Sequence, residues 1–282
     1  MATEAEPACT IISDMTFSDL DLAKRLEAAE GYACAQFAEA RAHLFPESGS
    51  EWIKVGGAVA VYDGIDAPTT QSFGLGIFEP LTAGTLERTE QFFFDRNTAA
   101  MHEVSPLAGV AALDLLCERG YQPIEISNVM YRAVEKPDVD HPASIRVRVV
   151  EQDEARLWGN ISARGWTHEH PELQEFVQQM GILSVARKDG PCFLAEIEGK
   201  PGAAGAMSIF EGVALFAGAA TVPELRRRGL QSALLQGRML YAFEHGCDLA
   251  MMVAEAGSNS QRNAERKGFR VAYTRIKWKL AG

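Results

Sequence analysis

The stretch "TVPELRRRGLQSALL", residues 221–235, places three consecutive arginines and a glycine directly before an amphipathic helix. The N-terminus of a helix already carries partial positive charge, so local stability favours Asp or Glu at this position. Gly229 removes the side chain where the chain enters the helix, so backbone N–H groups of about residues 227–232 point outward. The stretch predicts an anion site, and a diphosphate fits these donors best. A solvated arginine cluster is the alternative.

The strand before this stretch ends in "GAAT", residues 218–221, where a buried strand usually carries Val, Ile or Leu. Small side chains let a narrow ligand approach the backbone closely and form sheet-like hydrogen bonds with it. A tight contact between a helix and this strand would also require alanine. Both interpretations stay open at this level.

Composition excludes several classes of protein. The chain has 282 residues, enough for one large domain or two ordinary ones, and no apolar run long enough to span a bilayer. The N-terminus "MATEAEPACT" is acidic and lacks the segments of a signal peptide. The five cysteines are widely spread without a CxxC pair. We therefore expect a cytoplasmic protein without disulfides, metal or membrane contact.

Charge is distributed unevenly along the chain. Residues 1–140 carry 9 basic and 23 acidic side chains, whereas the remaining residues carry 18 and 15. The second half therefore accepts an anionic ligand more easily, and the whole is a poor nucleic-acid binder. The acidic first half could attract a cationic substrate.

Patterning divides the chain at "EKPDVDHPAS", residues 135–144, which is charged, proline-containing and without apolar periodicity. The first half predicts a long helix over about 19–44, strands in "WIKVGGAVAVYDG" and "SFGLGIFE", helices in "TAGTLERTEQFFFDRN" and "SPLAGVAALDLLCERGY", and a strand in "IEISNVMYRAV". The second half predicts a strand, two helices at about 152–164 and 171–181, three strands, the helix after the arginines, and a final strand–helix–strand.

The two halves share a pattern near their ends. "ERGYQPIEISNVMYRAV" and "ERKGFRVAYTRIKWKL" each run from a helix end through a glycine and an aromatic residue into a strand. We interpret this as a structural duplication. The first half contains no counterpart of the arginine stretch.

The arginine stretch resembles the acetyl-CoA-binding motif of the GNAT superfamily of N-acyltransferases, (Gln/Arg)-x-x-Gly-x-(Gly/Ala). Arg226 and Gly229 match its first two fixed positions, whereas Gln231 replaces the final Gly or Ala. A second family motif, a helix ending in Gly-Phe, is similar to "SNSQRNAERKGF", residues 258–269. The resemblance covers the second half well, whereas the first half shows only a degenerate form of the same pattern.

The resemblance implies the fold class. It is α/β of the α+β type, with two GNAT-like domains that each have a mixed, mainly antiparallel central sheet flanked by helices. The expected division is a degenerate N-terminal domain at 1–136, a linker at 137–144 and an acetyl-CoA-binding N-acetyltransferase domain at 145–282.

It also implies the binding site for acetyl-CoA as co-substrate. Pantetheine would pair with the strand end and the pyrophosphate would sit on the turn. The residues expected to bind are Ala219, Ala220, Thr221, Val222, Arg227, Arg228, Gly229, Leu230, Gln231 and Ser232. The acetyl carbonyl would lie where the strand ending at Thr221 splays from the one ending at Val253, near an N–H of Ala220. An amine would attack the thioester directly.

The expected catalytic groups are less defined. Many family members place a Tyr four residues before the glycine of Gly-Phe, and Ala264 occupies that position here. We expect Ser260 or Asn263 to contact the cofactor near its sulfur, although both could simply cap and solvate the helix.

The general base is undecided among Glu196, Glu198, Glu255, His168 and His170, and Glu255 could face the splayed strands. His168 and His170 without a third ligand are a weak metal signal. On the last strand, Tyr273 and Arg275 share one face and Trp278 takes the other, either in an acceptor pocket or in the sheet core.

Three functions are compatible with this sequence. The first is an N-acetyltransferase that acts on a small amine or a free amino group. Its substrate could be cationic. The second is a non-catalytic acyl-CoA-binding or regulatory protein of the same fold. The third is a tandem enzyme whose first half forms much of the acceptor site, which would show as a cleft between the halves. A homodimer is compatible with each.

Overall fold

The computed structural model describes residues 17–65, 67–138, 140–167 and 171–280. Within them seven α-helices form, at α1 Leu20–Leu44, α2 Ala83–Phe94, α3 Val110–Glu118, α4 Ala155–Trp166, α5 Gln174–Ala186, α6 Leu230–Glu244 and α7 Asn259–Glu265. Short 3-10 turns precede several of them, including Pro106–Ala108 before α3 and Pro223–Leu225 before α6.

Eleven strands make one sheet. They are β1 Glu51–Val55, β2 Ala58–Tyr62, β3 Gln71–Phe73, β4 Met101–Val104, β5 Tyr121–Ala133, β6 Ile145–Val149, β7 Cys192–Ile197, β8 Lys200–Phe210, β9 Val213–Thr221, β10 Leu249–Glu255 and β11 Arg270–Leu280. Their order is β1-β2-β3-β4-β11-β5-β10-β9-β8-β7-β6. The pairs β3–β4 and β9–β10 are parallel and every other pair is antiparallel. The expected mixed, mainly antiparallel sheet flanked by helices is confirmed.

The last strand of each half crosses into the other half of the sheet. β5 pairs with β10, β11 pairs with β4, and the two strands pair with each other over most of their length. The segment 137–144 is therefore a connection along the chain, whereas the sheet runs through both halves without a break. The division into domains at that segment stays a prediction.

Helices cover both faces of the sheet. α1, α4 and α5 lie on one face, where α1 packs on residues of β5, β9, β10 and β11. α6 and α7 lie on the other face, and α2 and α3 cover the β1–β4 end of the sheet. The long α1 therefore belongs to the first half in sequence and packs on strands of the second, because its buried alanines allow close contact.

Two expectations for the first half were wrong in detail. "SFGLGIFE" is a strand only over Gln71–Phe73, because Gly74 and Gly76 both take φ of +76° and turn the chain away. The helix expected from residue 105 begins at Val110, because Gly109 has φ +85° and separates it from the preceding 3-10 turn.

Tyr273 and Arg275 do share one face of β11, and that face is turned toward α1. Tyr273 donates to Glu27 Oε1 at 2.8 Å, and Arg275 is paired with Glu27, Glu30 and Glu103. Trp278 packs in the other core with α2 and α3. All three residues are thus part of the sheet core, which answers the alternative that the sequence left open.

Candidate functional site

The start of α6 presents unsatisfied backbone donors to solvent. Gly229 is the N-cap with φ +88°, and no side chain accepts a hydrogen bond from the first turn. Arg227 also has a positive φ, +62°, which an arginine adopts only under constraint from its surroundings. Two left-handed positions so close together turn the chain sharply, and the amides of the first helical turn stay available to an anion.

The three arginines have separate tasks. Arg226 donates to the carbonyl oxygens of Thr221 at 3.3 Å and Gly165 at 3.0 Å, so it ties the end of α4 to the end of β9. Arg227 and Arg228 are exposed and form no hydrogen bond or ion pair with the residues that the structure describes. Two unpaired cations therefore stand beside the uncapped helix.

β9 and β10 separate next to this turn. Their parallel pairing covers Val213–Leu215 against Leu249–Met251 and goes no further, although both strands continue. A bulge against β8 lies at Gly218, where φ is +60°, and leaves Ala217 and Gly218 exposed. The backbone groups of β9 beyond Leu215 that face β10 consequently have no strand partner.

The small residues of "GAAT" serve two purposes. A Cβ added at Gly165 would come within 2.6 Å of the Cβ of Ala220, so the end of α4 packs directly on this strand. Ala219 and Ala220 also line an open cavity. The tight helix–strand contact and the accessible strand edge, which were alternatives in the sequence, are both present.

Two adjoining cavities, which we call the cleft, lie between the end of β9, the start of α6 and α7. The larger has a volume of about 510 Å³ and the smaller about 320 Å³. The predicted residues that line it are Ala219, Ala220, Thr221, Arg227, Gly229, Leu230, Gln231, Ser232, Ser260 and Asn263. The structure therefore brings together ten residues from three separate segments of the sequence.

Other predicted residues lie outside the cleft lining. Val222 is 2% exposed and packs in the core beside α4, while Arg228 is exposed next to the turn. Glu255 ends β10 opposite Ser127 and lines neither cavity. Glu196 is held by Arg148 at 2.7 Å on β7, and Glu198 lies in the turn between β7 and β8. His168 and His170 fall outside the described residues.

α7 places Ser260 and Asn263 on the cleft. Ser258 caps the helix by accepting from Gln261 N at 3.2 Å. The Gln261 side chain accepts from Asn128 on β5 and from Gly257 N, which fixes the helix against the sheet. Ser260 and Asn263 line both cavities, and Ala264 between the helix and β10 lines the smaller one. Ser258 therefore caps the helix, and the side chains of Ser260 and Asn263 remain available to a ligand in the cleft.

Gln231 closes part of the mouth of the cleft. Its Oε1 accepts a hydrogen bond from Thr221 Oγ1 at 3.1 Å, so the side chain bridges from α6 to the end of β9. A Gly or Ala at this position would leave that gap open. Gln231 lines both cavities of the cleft.

Arg238 is a residue of the cleft that the sequence reasoning missed. It is 1% exposed, lies over the Phe216 ring and donates to the carbonyl oxygens of Ala206 at 3.2 Å and Ala217 at 3.4 Å. Burial without a carboxylate lowers the pKa of its guanidinium to about 10. It thus holds the two strands at the bulge. A signal existed, because Arg238 interrupts the apolar stripe that contains Leu230 and Leu234 on α6.

Trp166 is a second residue that was missed, and nothing in the sequence separates it from an ordinary surface residue. It ends α4 with 58% of its surface exposed and lines the cleft beside Gly165. Among the described residues no group of three or more His, Cys, Asp or Glu side chains is placed to hold a metal ion. None of the described helices has the length and apolar character that crossing a membrane requires.

Comparison with known proteins finds a family match in the second half. Residues 152–269 match the model of the acetyltransferase (GNAT) family. The match includes α4 to α7 and the whole cleft. No curated protein matches the chain in sequence.

Solved structures share the fold over almost the whole chain. A GCN5-related N-acetyltransferase from Kribbella flavida has a TM-score of 0.64 at 20% identity, covering 88% of this chain and 96% of the other. A GCN5-related N-acetyltransferase from Sphaerobacter thermophilus has 0.53 at 17%, covering 94% and 93%. A tandem GNAT protein from the clavulanic acid biosynthesis pathway has 0.55 at 12%, covering 95% and 98%. At these identities the similarity establishes the fold alone.

Proposed function

We propose that the chain is an N-acetyltransferase that binds acetyl-CoA in the cleft and transfers its acetyl group to a small amine, since residues 152–269 match the model of the acetyltransferase (GNAT) family. The observation that carries the proposal is the uncapped start of α6, with Arg227 and Arg228 unpaired beside it among the described residues. Backbone donors and two cations at one helix N-terminus match a diphosphate.

The rest of the cleft supports the same ligand. The edge of β9 at Ala219 and Ala220, beyond its pairing with β10, offers backbone hydrogen bonds to the amides of pantetheine. The separation of β9 from β10 leads from that edge toward the bulge at Gly218. A ligand that is anionic at one end and extended at the other therefore fits the turn and the strand edge together.

The reaction we propose is direct transfer in a ternary complex. The amine nitrogen attacks the acetyl carbonyl carbon, the C–S bond breaks, and the nitrogen loses a proton while the sulfur gains one. A backbone N–H of β9 near Ala220 would stabilise the oxyanion. Ser260 or Asn263 would contact the sulfur directly or through water. No Asp or Glu of the described residues lines the cleft, so we assign no general base there. Glu255 remains a prediction for that role.

Calorimetric titration of acetyl-CoA tests the proposal. We expect one site per chain in the wild type, and about 100-fold weaker binding when Arg227→Gly and Arg228→Ala are combined, because two charged donors are lost. Glycine suits the positive φ of residue 227, so the fold should persist. Arg88→Ala, on an exposed arginine of α2, is the matched control and should bind normally.

Release of free thiol separates catalysis from binding alone. An enzyme releases coenzyme A only when an amine acceptor is present. Saturable binding without thiol release for any amine would favour the non-catalytic alternative. No acetyl-CoA binding by the wild type would overturn the proposal altogether.

A further inference from the structure

A further cavity opens on the opposite face of the sheet from α6. Its volume is about 450 Å³. Apolar side chains from α1, the loop after β2, α4, the 3-10 turn Pro171–Leu173 and α5 line it, namely Phe37, Pro68, Trp158, Leu173, Val177 and Met180. We call it the apolar cavity. Phe37 and Pro68 belong to the first half of the chain, so this cavity lies between the halves.

The apolar cavity adjoins the cleft at the separated strands. Gly218 lines the apolar cavity, and the next residue of β9, Ala219, lines the cleft. Trp166 contributes to both walls. A molecule in the apolar cavity could therefore place one end at the bulge of β9. A ligand that lies along the edge of β9 in the cleft would reach the same bulge from the other side.

Two of the three hydroxyls that line the apolar cavity are already engaged, and the third belongs to Ser162. Thr167 Oγ1 donates to the carbonyl of Ala163 at 2.8 Å, and Ser184 Oγ donates to the carbonyl of Met180 at 2.8 Å. Among the described residues no Asp, Glu, Lys or Arg lines the cavity. The hydroxyls of Thr167 and Ser184 thus satisfy carbonyls of their own helices, and among the hydroxyls of the described residues in this lining only that of Ser162 is left for a polar group of a ligand.

The charged groups around the apolar cavity are paired with each other. Arg41 binds the buried Asp63 at 2.6 Å and reaches Met180 Sδ at 3.6 Å. Arg187 lies over the Phe37 ring and pairs with Asp189 at 3.1 Å. A second ammonium group placed in this cavity would lose its hydration without gaining a free carboxylate there.

We propose that the apolar cavity binds the body of the acceptor, which is a primary amine on an aliphatic or aromatic group. This inference rests on the proposed acetyl transfer. The amino group lies at Gly218 and the apolar tail packs against Phe37, Trp158 and Val177. The first half thereby builds part of the acceptor site, and it selects apolar amines rather than the polycationic ones that its acidic composition would attract.

Two amines of equal length test the selectivity. Hexylamine and 1,5-diaminopentane each have seven non-hydrogen atoms in a linear chain, and they differ in a terminal methyl against a terminal ammonium. With acetyl-CoA we expect kcat/KM for thiol release to be at least about tenfold higher for hexylamine. Equal values, or a preference for the diamine, would overturn the inference while leaving acetyl transfer established.

A binding measurement makes the test independent of acetyl-CoA. Trp158 and Trp166 line the apolar cavity, so hexylamine should change the tryptophan fluorescence of the full chain saturably. Val177→Asp should weaken hexylamine about tenfold and favour 1,5-diaminopentane, because it places a carboxylate in the wall. Val110→Asp, the same change at a valine that is 72% exposed on α3, should leave both unchanged. Hexylamine binding that Val177→Asp does not alter would place the amine elsewhere.

Discussion

In the first half of the chain β3 leads through α2 to the parallel strand β4, and in the second half β9 leads through α6 to the parallel strand β10. After β4 and β10 come a helix, a glycine, an aromatic residue and a long strand, at α3–Gly120–Tyr121–β5 and α7–Gly268–Phe269–β11. The two halves therefore place a helix N-terminus at the same point relative to a parallel strand pair.

The first half satisfies its donors with its own side chains. Thr82 caps α2 by accepting from Thr85 N at 3.1 Å. Glu27 on α1 accepts from Gly74 N at 3.0 Å, directly after β3. Ser72 on β3 and His102 on β4 are 2.7 Å apart through Oγ and Nδ1, so a buried hydrogen bond connects the parallel strands. The amides of Thr85 and Gly74 therefore already have acceptors within the chain.

The second half leaves the corresponding groups free. α6 has no side-chain cap, and β9 and β10 part after three pairs of residues. The difference shows that the shared order of elements does not make a binding site. Under the proposed function, the lack of internal partners and the cations beside the helix start make the second half the binding site. The interpretation of the first half as a degenerate GNAT-like domain fits this contrast and stays a proposal.

Removal of the internal carboxylate should have the largest effect on the first half. Glu27→Ala deprives Gly74 N, Tyr273 OH and Arg275 of a shared buried partner. We expect a loss of about 3 kcal/mol in the free energy of unfolding, measured by urea denaturation. The loss should also weaken the packing of α1 on β11, which joins the two halves.

Glu27→Gln is the matched control for that variant. Burial raises the pKa of Glu27, which outweighs the opposing effect of Arg275, and Glu30 and Glu103 also face the same guanidinium. An uncharged amide keeps one acceptor oxygen, but its NH2 group then faces one of the donors that Glu27 binds, so Glu27→Gln should cost about 1–2 kcal/mol, less than Glu27→Ala. A Glu27→Gln variant as unstable as Glu27→Ala would show that one remaining acceptor oxygen contributes nothing to stability without the second oxygen and its charge.

Much of the second half could be predicted from its sequence. The arginine stretch, the small-residue strand end and the helix before Gly-Phe each carry a local signal, and the structure brings them to one cleft. Arg226, which matches the first fixed position of the motif, lines the cleft and also ties β9 to α4. Tertiary contacts decide that outcome, since three neighbouring arginines look alike in sequence.

The strand exchange could not be predicted. β5 and β11 follow the same helix–glycine–aromatic pattern, so nothing local indicates that β11 rather than β5 pairs with β4. β4 itself was missed because His102 and Glu103 make its four residues look polar. Both side chains are buried, His102 against Ser72 and Tyr121 and Glu103 against Arg275, and these partners are distant in sequence.

Acid should destabilise the first half of the chain, because His102 is buried there in its neutral form. Burial lowers the pKa of its imidazole to about 3, and its ring nitrogens contact Ser72 Oγ and Tyr121 OH. The Tyr121 hydroxyl donates in turn to Glu90, which Arg119 holds. In the unfolded chain the histidine pKa is about 6.5.

Between pH 6.5 and 3 the unfolded chain therefore binds a proton that the folded chain refuses, and stability present above pH 6.5 is lost as the pH falls. The contribution reaches about 1.4 kcal/mol per pH unit. Urea unfolding at several pH values should show a smaller slope for His102→Gln than for the wild type. Equal slopes would mean that the folded protein protonates His102 readily.

The smallest expected effect compares the two helix starts directly. Thr82→Ala removes the acceptor for Thr85 N and should cost about 1 kcal/mol of unfolding free energy. The exposed amides should still not bind acetyl-CoA, because Thr82 and Thr85 are followed by no arginine turn, and calorimetry should continue to give one site per chain. A second site in Thr82→Ala would mean that the cap alone keeps the first half closed. The arginines of the second half would then serve affinity and would not decide which half binds.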